Sequence, residues 1–72
     1  MSTKRFHRTE VFEGTTLVGI NYNGRDALDN GFDVEARNGL LWINGDATML
    51  LKDDVAELLP LLQSFVETGR FP

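Results

Sequence analysis

The side chains able to do acid–base or metal chemistry in this chain are mostly carboxylates. Asp26, Asp29, Asp33 and Glu35 fall close together, whereas the 72 residues hold a single histidine, His7, and no cysteine. Gathered carboxylate oxygens are what hard cations such as calcium bind, and a facing pair is what glycoside hydrolysis needs. The spacing supplies neither. With Gly31 as the glycine of a calcium loop, Asp26 and Leu28 fall on ligand positions and no bidentate glutamate follows at the required distance. A carboxylate pair would also need a carbohydrate cleft, for which so short a chain has little room. Zinc sites draw on clustered Cys and His and are excluded. Nucleophilic catalysis needs a base beside the hydroxyl, but His7 lies near the chain start and no Gly-x-Ser-x-Gly elbow is present. Gly14, Gly19 and Gly24 are evenly spaced within strand-like sequence, with no following helix to turn its N-terminus toward a phosphate. The residues therefore imply no enzyme, no metal and no cofactor.

Two other groups carry recognition chemistry. Leu40 and Trp42 stand near Arg37 and Glu35, and tryptophan beside arginine is the composition enriched at interface hot spots. Tyr22 extends that patch if its strand pairs suitably. The plainer reading is that another part of the chain covers these residues. Lys4, Arg5 and Arg8 make the first eight residues basic, while the remainder holds four basic against eleven acidic residues. Such an arm suits nucleic-acid phosphates or an acidic protein, and its plainer reading is a solvated flexible terminus. The acidic body repels phosphate, which also disfavours stacking of single-stranded bases on Trp42 and Tyr22. Its plainer reading is a soluble surface rather than mimicry of DNA.

The elements that must position these residues are legible from turn chemistry. Four Asn-Gly pairs occur, Asn23-Gly24, Asn30-Gly31, Asn38-Gly39 and Asn44-Gly45, and both residue types tolerate the positive φ of a tight hairpin turn. Residues from Arg8 to Tyr22 form a hairpin around Glu13-Gly14. Arg25 to Asn30 is a loop or a single helical turn, bracketed by two of the Asn-Gly pairs. Phe32, Val34 and Ala36 alternate strictly with Asp33, Glu35 and Arg37, the pattern of a half-buried strand. A two-residue turn at Asn38-Gly39 sets Arg37 opposite Leu40, Ala36 opposite Leu41, Glu35 opposite Trp42 and Val34 opposite Ile43. Trp42 thus falls on the face away from the core. Asn44-Gly45 is a turn into a further strand over 47–51, or a bulge.

The last element is a helix over Asp53 to Thr68, whose apolar face is Val55, Leu58, Leu59, Leu62, Phe65 and Val66, with Leu61 at its edge. Asp53 or Asp54 caps it, with Glu57 completing a capping box, and Leu51 staples the start. Pro60 removes one hydrogen bond and bends the helix toward its apolar side, and Gly69 stops it. The segment INGDATMLLKDDVAELLPLLQSFVETG resembles the strand-turn-strand-helix endings of small uncharacterised proteins of actinobacteria and their phages. The resemblance rests on Ile-Asn-Gly, the leucine pair, Asp-Val and the leucine-rich helix, covers about a third of the chain, and brings no functional residue with it.

The expected fold class is α+β, a meander of four to five short antiparallel strands packed on one C-terminal helix. Residues 1–8 form a basic flexible arm, 9–69 a single domain and 70–72 a tail. A domain this small buries only about 60% of its unfolded surface, so oligomerisation is the staple left to a chain without cysteine or metal. No membrane-spanning stretch or signal-peptide h-region is visible, which points to the cytoplasm. The expected function is a non-enzymatic protein-interaction module, self-associating as a homodimer, of the kind a phage or mobile element encodes to modulate a host protein. Its contact residues are Leu40, Trp42, Arg37, Glu35 and Tyr22. The alternative is a nucleic-acid-linked role through Lys4, Arg5 and Arg8, or through the acidic body as a DNA mimic.

Overall fold

The computed structural model describes residues 5–45 and 49–72. Four antiparallel strands, β1 (His7–Glu13), β2 (Thr16–Arg25), β3 (Gly31–Arg37) and β4 (Leu40–Gly45), pair in sequence order, and one helix, α1 (Lys52–Thr68), follows. The β3–β4 register is the one that a two-residue turn dictates, with Glu35 opposite Trp42 and Val34 opposite Ile43. Asn38 and Gly39 take φ of 56° and 73°, which a type I′ turn requires at both central positions. The strand expected over 47–51 does not form where it can be seen. Met49 to Leu51 are not in a strand, and the Met49 carbonyl accepts the Ala27 N–H at 2.8 Å instead. Residues 47 and 48 lie outside the described residues.

β2 is longer than its sequence suggests and runs through Asn23-Gly24 to Arg25. Gly24 is needed there because Phe6 lies across it. A Cβ at Gly24 would stand 2.7 Å from the Phe6 ring and 2.7 Å from the Arg5 carbonyl. β1 and β2 slip by one residue between Val11 and Phe12, so that Val18 is extra, a bulge that sharpens the local twist. The Arg25-to-Asn30 connection is a loop built on Asp26. Its buried carboxylate accepts the Leu28 N–H at 2.9 Å and the Asn30 N–H at 2.8 Å, the local competition with regular structure that makes Asp a turn former.

The core is Phe6, Ile20, Phe32, Val34, Ala36, Leu58, Leu61 and Phe71, with Tyr22, Leu41 and Phe65 packed against it. The core thus includes Phe6 from the expected arm and Phe71 from the expected tail. Phe6 meets Phe32 edge to face with ring centroids 5.3 Å apart, and Phe71 does the same with Tyr22 at 5.8 Å. Arg5 Nε stands 2.7 Å from the fully buried Asp54 carboxylate, a close ion pair rather than an aligned hydrogen bond. The Glu57 carboxylate accepts the backbone N–H groups of Arg5 at 2.8 Å and Phe6 at 3.0 Å. Residues 5–8 therefore belong to the domain, tied across to the start of α1.

The helix cap and the helix face on the sheet both differ from those expected. The cap residue is Leu51, whose N–H donates to Asp54 at 3.3 Å. Leucine has no acceptor to return the bond, so half a capping box is present, and Glu57 is spent on Arg5 and Phe6. The seam on the sheet is Asp54, Leu58, Leu61 and Phe65, spaced at one helical face. Val55, Leu59, Leu62 and Val66, expected on the sheet, are exposed. Two overlapping apolar arcs compete for the sheet in this sequence, and the one that packs is Leu58, Leu61 and Phe65, with Asp54 meeting Arg5 at its start. Gly69 closes the helix at φ 76°, donating its N–H to Phe65.

Candidate interaction surface

Paired residues across a sheet share a face, so the registers define a second face that no helix covers. Across β1 to β4 its rows are His7, Asn23, Asp33 and Asn44; Thr9, Asn21, Glu35 and Trp42; and Val11, Gly19, Arg37 and Leu40. Each strand supplies alternate residues to it, which is why charged β3 side chains lie beside the apolar pair of β4.

A hydrogen-bonded lattice fixes the centre of this face. Asn21 Nδ2 donates to Asp33 at 2.7 Å and to Glu35 at 3.2 Å, and Asn44 Nδ2 donates to Asp33 at 3.1 Å. Arg37 Nε pairs with the other Glu35 oxygen at 3.2 Å. The Arg37 guanidinium also lies 5.2 Å from the centre of the Trp42 ring, within cation–π range. Gly19 makes room for that arrangement, because a Cβ there would stand 2.9 Å from Arg37 Cβ and 2.6 Å from the Ala36 carbonyl. Trp42 remains 41% exposed and Leu40 is more exposed still. The result is an aromatic and an aliphatic side chain held beside a rigid, half-buried ion pair.

Of the contact residues expected from sequence, Leu40, Trp42, Arg37 and Glu35 meet on this face. Tyr22 does not. It pairs with Val34, packs against Phe71, and donates its hydroxyl to the Pro72 carbonyl at 2.8 Å, so it lies on the helix side. Its placement depended on the β2–β3 register, which the five-residue loop between them leaves open to sequence reasoning. Arg5 is consumed by Asp54 and by the carbonyls of Arg25 and Asp26, each 3.1 Å from its Nη2. Arg8 donates to the Pro72 carbonyl at 3.1 Å. Lys4 lies outside the described residues. Of the basic group, Arg5 and Arg8 are thus engaged within the domain.

The carboxylates are also dispersed. Asp26 is buried in its loop, Asp29 faces Arg25 at 3.7 Å, and Asp33 and Glu35 belong to the lattice. Among the described residues no group of three or more His, Asp or Glu is placed to hold a metal ion. An open hollow of about 640 Å³ at the Gly31 end of the sheet is lined by His7, Asn23, Arg25, Asp29 and Asp33. The described residues contain no helix long and apolar enough to cross a membrane.

Sequence reasoning missed Asn21 and Asn44, whose role needs the full register. It also set Val55, Leu59, Leu62 and Val66 on the sheet, where they are exposed, although their four-three-four spacing marks a line of their own. No protein-family model, curated protein or solved structure matches this chain.

Proposed function

We propose that this protein is a non-enzymatic interaction module that binds another protein through the outer face of its sheet, centred on Leu40 and Trp42. What carries the reading is that Trp42 stands exposed against Arg37 while Arg37 is itself fixed by Glu35. A solvent-facing tryptophan is useful to a soluble domain as an anchor, and one already ordered by its neighbours loses little side-chain entropy on binding. The lattice behind it offers a partner both signs of charge, with most carboxylate and amide groups already satisfied.

Full burial of the exposed parts of Leu40 and Trp42 contributes on the order of 2–4 kcal/mol, enough for a hot-spot pair. The test is capture of a partner from host lysate by the immobilised protein, compared with Trp42→Ala and Leu40→Asp. The expected result is loss of the captured protein from both variants, with circular dichroism unchanged. Equal capture by wild type and both variants overturns the reading.

A further inference from the structure

The opposite layer carries a second unpartnered surface. Four strands spaced at about 4.8 Å make a sheet nearly 20 Å wide, and one helix of about 10 Å diameter covers roughly half of it. The covered sheet residues are Ile20 on β2 and Phe32, Val34 and Ala36 on β3, and Glu57 on one flank of α1 holds the backbone of Arg5 and Phe6, which lead into β1. At 100° per residue, Val55, Leu59, Leu62 and Val66 form the other flank, turned toward β4. Leu59 is 61% and Val66 83% exposed, and Ile43, on the helix side of β4 opposite the buried Val34, is 70% exposed. The four helix residues thus form one aliphatic strip, and Ile43 adds to the apolar surface on the β4 side of the sheet.

We infer that a second copy of this chain seats on this strip, the two α1 helices running antiparallel about a twofold axis between Leu59 and Leu62. The spacing suits self-pairing, since the axis sets Leu59 against the partner's Leu62 and Val55 against the partner's Val66, and a closed dimer needs such a self-complementary patch. Charge chooses the direction. Lys52 continues the same line one turn before Val55 and is exposed. In an antiparallel pair it reaches the C-terminal end of the partner helix, which carries the negative end of the dipole and Glu67 and has no basic residue in its last turn. A parallel pair would set lysine against lysine and Glu67 against Glu67.

The area is sufficient. The strip offers on the order of 500 Å² per copy, hence about 1,000 Å² for the pair, the size at which a specific but weak dimer begins. The inference is independent of the outer-face reading, because it uses the other side of the sheet.

Sedimentation equilibrium of the full chain at about 0.1 mM, a concentration that populates a micromolar dimer, should give twice the 8.1 kDa chain mass. Leu59→Glu and Val66→Glu, both at exposed positions, should return the single-chain mass with unchanged circular dichroism, while Trp42→Ala should stay dimeric. Lys52→Glu should weaken the dimer by roughly tenfold, two exposed charge contacts being lost at once. The Lys52→Glu/Glu67→Lys double variant should restore it. A monomeric wild type, a dimer that survives both glutamate variants, or a charge swap no tighter than Lys52→Glu would overturn the inference.

Discussion

Replacing Arg5 by alanine is expected to be among the most damaging single changes near the N-terminal end of the described chain. Asp54 is 0% exposed, and its charge is met by Arg5 Nε at 2.7 Å. Without Arg5 that charge remains in place with the Leu51 N–H at 3.3 Å as its backbone donor. Leaving a buried charge uncompensated costs about 3–5 kcal/mol. The Arg5 side chain is 37% exposed, so its removal admits water toward Asp54, and screening lowers the figure to about 2–3 kcal/mol. Total stability for a domain of this length is on the order of 4–10 kcal/mol, so the loss is a large fraction. With a urea slope of about 1 kcal/mol/M, the unfolding midpoint followed by far-UV circular dichroism should fall by about 2–3 M at unchanged slope. Asp54→Asn removes the charge yet keeps an acceptor for Leu51, and should cost only about 1–2 kcal/mol. Arg5→Met/Asp54→Leu, which replaces the pair by apolar groups of similar size, should recover to within about 1 kcal/mol of wild type. An Arg5→Ala midpoint within about 0.5 M of wild type would refute the reasoning and return residues 5–8 to the solvated arm that their composition suggests.

Trp42→Ala should cost less than about 1.5 kcal/mol in the same titration, since its ring is only partly buried; a loss above about 3 kcal/mol would place it in the core. Gly45→Ala should cost about 2–3 kcal/mol because Gly45 has φ 118° and a Cβ there would stand 2.6 Å from the Gly31 carbonyl. Gly31→Ala, where no atom lies within 4 Å of the added carbon, should stay within about 0.5 kcal/mol, and equal melting of these two glycine variants would contradict the backbone described. Pro60→Ala should raise the melting temperature, because α1 runs through Pro60 with one backbone bond missing. A gain of about 1 kcal/mol is about 4–8 °C for a domain of this size, and a fall would mean that the proline is needed for packing.

The parts of the fold readable from sequence are those written in local chemistry. Asn38-Gly39 can close only a small set of turns, and strict alternation from Phe32 to Arg37 leaves one choice of face, so the β3–β4 register and the company of Trp42 follow directly. What escaped is set by distant partners. Phe6 and Phe71 sit among polar or terminal residues and have no period to mark them as core. The rotation of α1 sets Asp54 against an arginine more than forty residues away, a contact on which helical periodicity is silent. Tyr22 changed sides because the loop over 26–30 is shaped by the Asp26 carboxylate and not by a standard hairpin turn. The interaction face was legible where one turn controlled it and illegible across β2, which is why Arg37 was found and Asn21 was not.

The position of Phe71 has a consequence for how the chain comes off the ribosome. The strands are joined by short connections and can pair soon after they emerge, since their contacts are local in sequence. Their apolar side, Ile20, Phe32, Val34 and Ala36, then waits for Leu58, Leu61 and Phe71. That side stays bare until the helix and Phe71 have themselves left the exit tunnel. Chaperone capture of the newly made chain should accordingly peak in that interval and end once Phe71 is free to dock.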